Sequence, residues 1–199
     1  MANKPGKTFR LAALIIIALL AIFFYTSYNS LVRKQEQVTK AWNNVQSDYQ
    51  RRVDLVPNLV STVKQSSEYE KDVLVKLTEA RAKAAAVNVS GDASYENYKK
   101  TEAANSEVAI AANRVIAVIE KYPDVKTTTG FLRLLDQLEG TERRIKFSRK
   151  DFNEAVMGYN KAVRSFPASI AAKLFGFKIK EGFTAGMGTD KAAEINFTK

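Results

Sequence analysis

A chain of 199 residues, 46% hydrophobic and 26% charged, is neither disordered nor fibrous in composition and is long enough to bury a core. It has no Cys and no His, which excludes disulfides, thiol catalysis, zinc–thiolate sites and a lipid-modified cysteine, and removes the commonest general base and transition-metal ligand. The net charge of +10 would suit an anionic lipid surface; nucleic acid is not expected, because no reading motif is present and the basic residues are dispersed among acids.

The first element is a membrane anchor. Residues 11–24 form an unbroken apolar run, extended by Phe9 before it and by Tyr25 and Tyr28 after it. A span of residues 9–28 meets the roughly 20 residues a bilayer requires, with the tyrosines in an interfacial belt and Arg10 reaching the headgroups. A buried core helix is the weaker reading, since the segment is apolar on every side. A cleaved signal peptide is also weaker, since bulky residues stand where a cleavage site needs small ones. Lys4, Lys7 and Arg10 before the span nearly balance Arg33, Lys34 and Lys40 after it, leaning slightly toward a cytoplasmic N-terminus and an external bundle.

Beyond the span, Leu31, Val38, Trp42, Val45 and Tyr49 step by three and four, which is a helix face. Pro57 predicts a tight corner at Asp54, Pro57 and Asn58 that opens a second helix, with a kinked continuous helix as the alternative. The second helix carries Val60, Val63, Leu74, Leu77 and Ala84 and fades at residues 88–92. A third, over residues 94–121, carries Tyr95, Tyr98, Val108, Ala112, Ile116 and Ile119 and stops at Tyr122-Pro123. In the fourth, from Thr129, the residues Phe131, Leu135, Leu138, Ile145, Phe152, Val156, Tyr159, Val163 and Phe166 hold a seven-residue register to Pro167. Such a register predicts helix-on-helix packing at a shallow angle, and the whole reads as an all-α chain: a transmembrane helix followed by an antiparallel four-helix bundle.

Four antiparallel helices return the chain to the membrane side. Lys173, Phe175, Phe177, Lys178 and Lys180 would then lie at the headgroups or cap the base of the bundle, and a loose tail follows from about Gly182. The organisation is an anchor over residues 1–28, a bundle over 29–167, and a basic aromatic membrane-proximal segment with a flexible tail over 168–199.

Extending the register through its gaps puts Arg52, Glu70, Arg81, Glu102, Asn105, Glu142 and Arg149 on core-type positions. Lone buried charges are too costly to tolerate, so these must pair, hydrate or face a groove. The first reading is an ionic layer that fixes helix register. The second is a polar groove or cation site built from Glu70, Glu102 and Glu142. A di-iron carboxylate site needs His and is excluded. No Ser has a His partner and no phosphate-binding glycine loop is present, so no catalytic residue, metal or cofactor is assigned and an enzyme is not expected.

Several ordered blocks resemble the LemA family of bacterial membrane proteins across about residues 28–177. They are Tyr28-Asn29-Ser30-Leu31-Val32; Ala41-Trp42-Asn43-Asn44-Val45-Gln46 running into Arg51-Arg52-Val53-Asp54-Leu55-Val56-Pro57-Asn58-Leu59-Val60; Glu70 with Ala80-Arg81; Tyr122-Pro123; and Leu138-Glu139 through Glu142-Arg143-Arg144-Ile145, Arg149, Phe152-Asn153, Tyr159-Asn160 and Phe166-Pro167. The resemblance implies a single-pass protein of the bacterial cell (inner) membrane with a helical bundle, no established enzymatic activity, and an accessory or scaffold role at the cell envelope with protein partners it does not name. It also implies an N-terminus outside, against the charge balance. Ser67-Glu68-Tyr69-Glu70 stands where the resemblance implies, for many relatives, a His before the Glu, which weakens a metal reading further. Two functions follow as expectations: an interaction scaffold, or a sensor of a ligand, cation or anionic lipid.

Overall fold

The computed structural model describes residues 5–64, 71–88 and 95–183. Within these residues six helices follow one another: α1 Pro5–Lys64, α2 Lys71–Asn88, α3 Tyr95–Ile119, α4 Pro123–Lys126, α5 Thr129–Arg164 and α6 Ala168–Leu174. Among the described residues there is no strand.

α1 is 60 residues long, and its N-terminal part is long and apolar enough to cross a membrane, with none of its apolar window buried against the rest of the protein. No helix breaker separates that part from the bundle. Where the apolar run ends, Thr26 and Asn29 turn their side chains back to the carbonyls of Ile22 and Tyr25, at 2.9 and 2.8 Å, so the first polar groups bond within the helix itself. Beyond them Leu31, Val38, Trp42, Val45 and Tyr49 are all buried.

The corner expected at Asp54, Pro57 and Asn58 is not there: α1 runs straight through Pro57 to Lys64. Asp54, Pro57 and Asn58 are exposed on this unbroken helix, while Val53, Leu55, Val56 and Leu59 are buried. A proline four residues on leaves the Val53 carbonyl without its helical donor. Arg81 of α2 supplies the replacement, its Nε donating to Val53 O at 3.4 Å. The cost of Pro57 is thereby offset from a helix 28 residues away. Arg81→Met should therefore destabilise the wild-type chain by about 1 kcal/mol more than it destabilises a Pro57→Ala chain, whose residue 57 again has an N–H to give. Urea unfolding of the four chains in detergent micelles checks the cycle, and additive effects would remove this explanation.

The partners of α1 fix the topology. Along α1 and α5 the contacts run in opposite directions, from Leu31 with Val163 in one core to Val63 with Phe131 in the other. α2 and α3 form a hairpin that packs on α1, with Lys83 of α2 paired to Glu107 of α3 across it. α5 starts on a side-chain cap, Thr128 Oγ1 accepting from Phe131 N at 3.3 Å. It buries Phe131, Leu134, Leu138, Thr141, Ile145, Ser148, Phe152, Val156, Tyr159 and Val163. Three details differ from the sequence register. Leu134 is buried and Leu135 only half-buried; Thr141 and Ser148 take the core positions that had been given to Glu142 and Arg149; and Phe166 lies outside the helix, 81% exposed. Small hydroxyl residues occupy the seam there because each can return its oxygen to its own helix: Thr141 donates to Gln137 O at 2.8 Å and Ser148 to Ile145 O at 3.2 Å. The charges beside them then reach across to other helices.

Candidate functional site

The interior is two clusters. One lies toward the apolar end of α1, with Leu31, Trp42, Tyr49, Tyr98, Phe152 and Tyr159 among its members. The other lies at the far end, with Val56, Leu59, Leu77, Val108, Val115 and Phe131. At their junction sits the polar layer. Arg52 of α1 is almost fully buried. Its guanidinium donates to the Asn105 carbonyl of α3 at 2.9 Å and to Glu142 Oε2 of α5 at 2.5 Å. Arg149 of α5 pairs with Glu102 of α3. Asn105 is buried and donates to Thr101 O at 3.0 Å. Two ion pairs thus tie α1 and α3 to α5 where the two cores meet. Arg52 Nε and Asn105 Oδ1 are buried with no hydrogen-bond partner among the described residues.

Tyr49 closes one side of the layer, with the Arg52 guanidinium carbon 5.8 Å from its ring centre. Burial pushes its hydroxyl up to about 12, with the nearby Arg149 opposing and Glu102 reinforcing that rise. An open groove of about 420 Å³ between α3 and α5 reaches the layer and is lined by Tyr49, Arg52, Ser106, Glu142, Lys146 and Arg149. Glu102 and Glu142, offered from sequence as cation ligands, each accept from an arginine instead. Arg81 lies away from the layer, at the Val53 carbonyl, and Glu70 falls outside the described residues. Among the described residues no group of three or more acidic side chains gathers as a metal site would require. The layer offers fixed charges and hydrogen bonds.

The segment after α5 returns to α1 at the end of its apolar stretch. Phe175 stacks edge-on against Phe24 and Tyr28, with ring centres 6.4 and 5.0 Å apart, and Phe177 meets Tyr28 at 5.7 Å. Phe177 is half-buried, whereas Lys173, Lys178, Phe166, Ile170 and Leu174 stay exposed. Lys180 lies with its Nζ 5.9 Å from the Tyr159 ring centre.

From Lys178 the chain does not become loose. It runs irregularly along α5, antiparallel to it. Tyr159 Oη donates to Lys178 O at 2.9 Å. Asn160 Nδ2 donates to Lys180 O at 2.6 Å, and Lys180 N donates back to Asn160 Oδ1 at 2.8 Å. Asn153 treats Phe183 in the same way, at 3.0 and 2.8 Å. Gly182 and Phe183, assigned from sequence to the tail, are therefore held; residues 184–199 lie outside the described residues. The Phe183 ring completes an aromatic cluster with Trp42 and Phe152, at 6.0 and 5.2 Å. Sequence reasoning passed over Asn153 and Asn160 as site residues. The available signal was the aromatic–Asn pair repeated at seven residues, Phe152-Asn153 and Tyr159-Asn160.

Comparison with known proteins agrees with the resemblance drawn from the blocks. The model of the LemA family matches residues 41–197. Magnetosome protein MamQ 2 of Paramagnetospirillum magneticum is 24% identical over 194 residues, covering 86% of this chain and 71% of that protein. Magnetosome protein MamQ of Magnetospirillum gryphiswaldense is 23% identical over 198 residues, covering 89% and 73%. Protein LemA of Metamycoplasma hominis is 20% identical over 163 residues, covering 80% and 71%. With a family match over most of its length and, among the described residues, an all-helical fold with one apolar helix long enough to cross a membrane, the chain belongs to the LemA family.

Proposed function

We propose that this protein is a non-enzymatic scaffold of the bacterial cell envelope: a helical bundle, held at the inner membrane by one span, that offers its outer faces to protein partners. The observation that carries the reading is the continuity of α1, in which the apolar stretch and the bundle's inner helix are one 60-residue rod. A rod holds the bundle at a set height over the bilayer, which suits a docking platform better than a flexible tether would. Ile110, Leu132 and Phe147 are large apolar side chains left about half or more exposed on α3 and α5. Photo-crosslinking residues placed at those three positions in native membranes should capture the same proteins in repeated preparations. Capture of lipid alone, or of different proteins each time, would remove the scaffold reading.

A second reading is favoured by the base of the bundle. The stacking of Phe175 on Phe24 and Tyr28 holds α6 level with the end of the apolar stretch. There Ile170 and Leu174 are exposed beside Lys173 and Lys178. This is the composition of an interfacial foot on an anionic leaflet. A chain lacking residues 1–28 should bind vesicles containing phosphatidylglycerol in a salt-sensitive way. Replacing Lys173, Lys178 and Lys180 together by Ala should weaken that binding roughly a hundredfold, at about 1 kcal/mol for each charge. Sedimentation that is unaltered by the triple substitution would count against it.

A further inference from the structure

An Asn side chain carries both an acceptor and donors, so one Asn can satisfy the N–H and the C=O of a single extended residue, as a neighbouring strand would. Asn160 does this for Lys180 and Asn153 for Phe183. The spacings agree. Seven residues of helix rise about 10.5 Å, and three residues of extended chain cover about 10 Å. A helix bearing Asn every seventh residue therefore reads every third residue of an extended chain running antiparallel to it.

The side chains of the bound segment contribute little. Lys178, Ile179 and Glu181 remain exposed, so most of the hold comes from main-chain hydrogen bonds. Two positions are selective. A Cβ on Gly182 would come within 2.6 Å of Asn153 Oδ1 and 3.3 Å of its Cγ, so only glycine fits without displacing the clamp. Phe183 fills a pocket formed by Trp42 and Phe152, under the Arg149 guanidinium at 4.5 Å from its ring centre. Beside the segment an open groove of about 660 Å³ continues along Val156, Met157, Asn160 and Arg164. A turn at Gly176, with φ of 77°, joins the segment to α6.

We infer that the α5 face bearing Asn153 and Asn160 is a binding site for an extended peptide, filled here by the chain's own residues 178–183, and that it takes from a partner a segment with a glycine–aromatic pair. The inference rests on the scaffold reading and names the chemistry of the segment that docks. Main-chain recognition makes the site tolerant of sequence elsewhere, and the glycine–aromatic pair sets the register. The resident segment competes at the high effective concentration of a short tether, so an outside peptide gains access when the resident is weakened.

The test uses the full chain in detergent micelles and a fluorescein-labelled peptide of residues 178–185. Gly182→Ala and, separately, Phe183→Ser weaken the resident segment and leave Asn153, Asn160, Trp42 and Phe152 untouched. Each variant should bind the peptide at least tenfold more tightly than wild type by fluorescence anisotropy. A peptide with Ala in place of its Gly should lose at least tenfold, and adding Asn153→Leu with Asn160→Leu to the Gly182→Ala chain should abolish binding. A variant with wild-type helical circular dichroism that binds no peptide, or binds the Ala peptide equally, overturns the proposal. So does failure of both variants to fold, which would make the segment a structural part of the bundle. Partner crosslinks that persist when Asn153 and Asn160 are Leu would leave the scaffold reading standing and remove only this site.

Discussion

Trp42→Ala should destabilise the bundle by about 3–5 kcal/mol, the largest effect expected of any single side chain. Trp42 is 1% exposed. It meets Tyr98 at 4.3 Å, Phe152 at 5.7 Å and Phe183 at 6.0 Å between ring centres, so it joins α1, α3, α5 and the C-terminal segment at one point. Truncation leaves a cavity that four separate pieces of chain would have to move together to close. Phe at this position should cost far less, about 1 kcal/mol. It keeps most of the ring contact and removes the indole N–H, which is buried with no hydrogen-bond partner among the described residues. Urea unfolding followed by circular dichroism compares the two. Hydrogen exchange at the Lys180 and Phe183 amides adds a local readout, since loss of Trp42 should free the segment that those amides fasten. Equal costs for Ala and Phe would mean that the indole is not the keystone described.

Glu142→Ala should cost about 2–3 kcal/mol even though the Glu142 side chain is 52% exposed. The loss comes from its partner. Arg52 has 6% side-chain exposure and cannot shed its proton, so removing Glu142 leaves a buried guanidinium with only the Asn105 carbonyl to receive it. The nearby groove admits some water, which holds the penalty below that of a sealed pair. Arg52→Met removes the charge and keeps the packed stem, and should cost about 1 kcal/mol. The Arg52→Met, Glu142→Ala chain should therefore be more stable than Glu142→Ala alone. Denaturant midpoints for the four chains decide the matter; a double variant less stable than Glu142→Ala would show that the Arg52 charge is not what Glu142 is there to balance.

The apolar N-terminal part of α1, the face of α1 from Leu31 to Tyr49 and the long seam of α5 could be read from sequence because each is an unbroken or periodic run of apolar residues; burial follows the two periodic faces, and the unbroken run stays unburied. The polar layer was visible as charges interrupting the register. Its geometry was shifted by one residue: Thr141 and Ser148 are buried, while Glu142 and Arg149 reach sideways to Arg52 and Glu102. Register alone could not distinguish the two, since neighbouring helix positions differ by only 100° in direction. At Pro57 the structure takes the alternative to a corner, a continuous helix. Local rules assign the cost of a proline to its own helix, and here a donor on α2 offsets it. The docking of residues 178–183 on α5 was not legible because they carry neither period nor apolar run; bonds from Tyr159 and two Asn side chains to their main chain hold them, and such bonds leave no mark in the composition of the segment itself.

One continuous helix carries both the apolar stretch and the bundle's inner face, and a distance measured along it reports that continuity. The chain has no Cys, so Thr26→Cys and Ser61→Cys can be spin-labelled without background in a nanodisc. At 1.5 Å per residue an unbroken helix puts positions 26 and 61 about 50 Å apart, with a single narrow distribution in pulsed electron–electron resonance. A corner at residues 54–57 would fold the second position back and give a distance below about 40 Å, which a continuous α1 forbids.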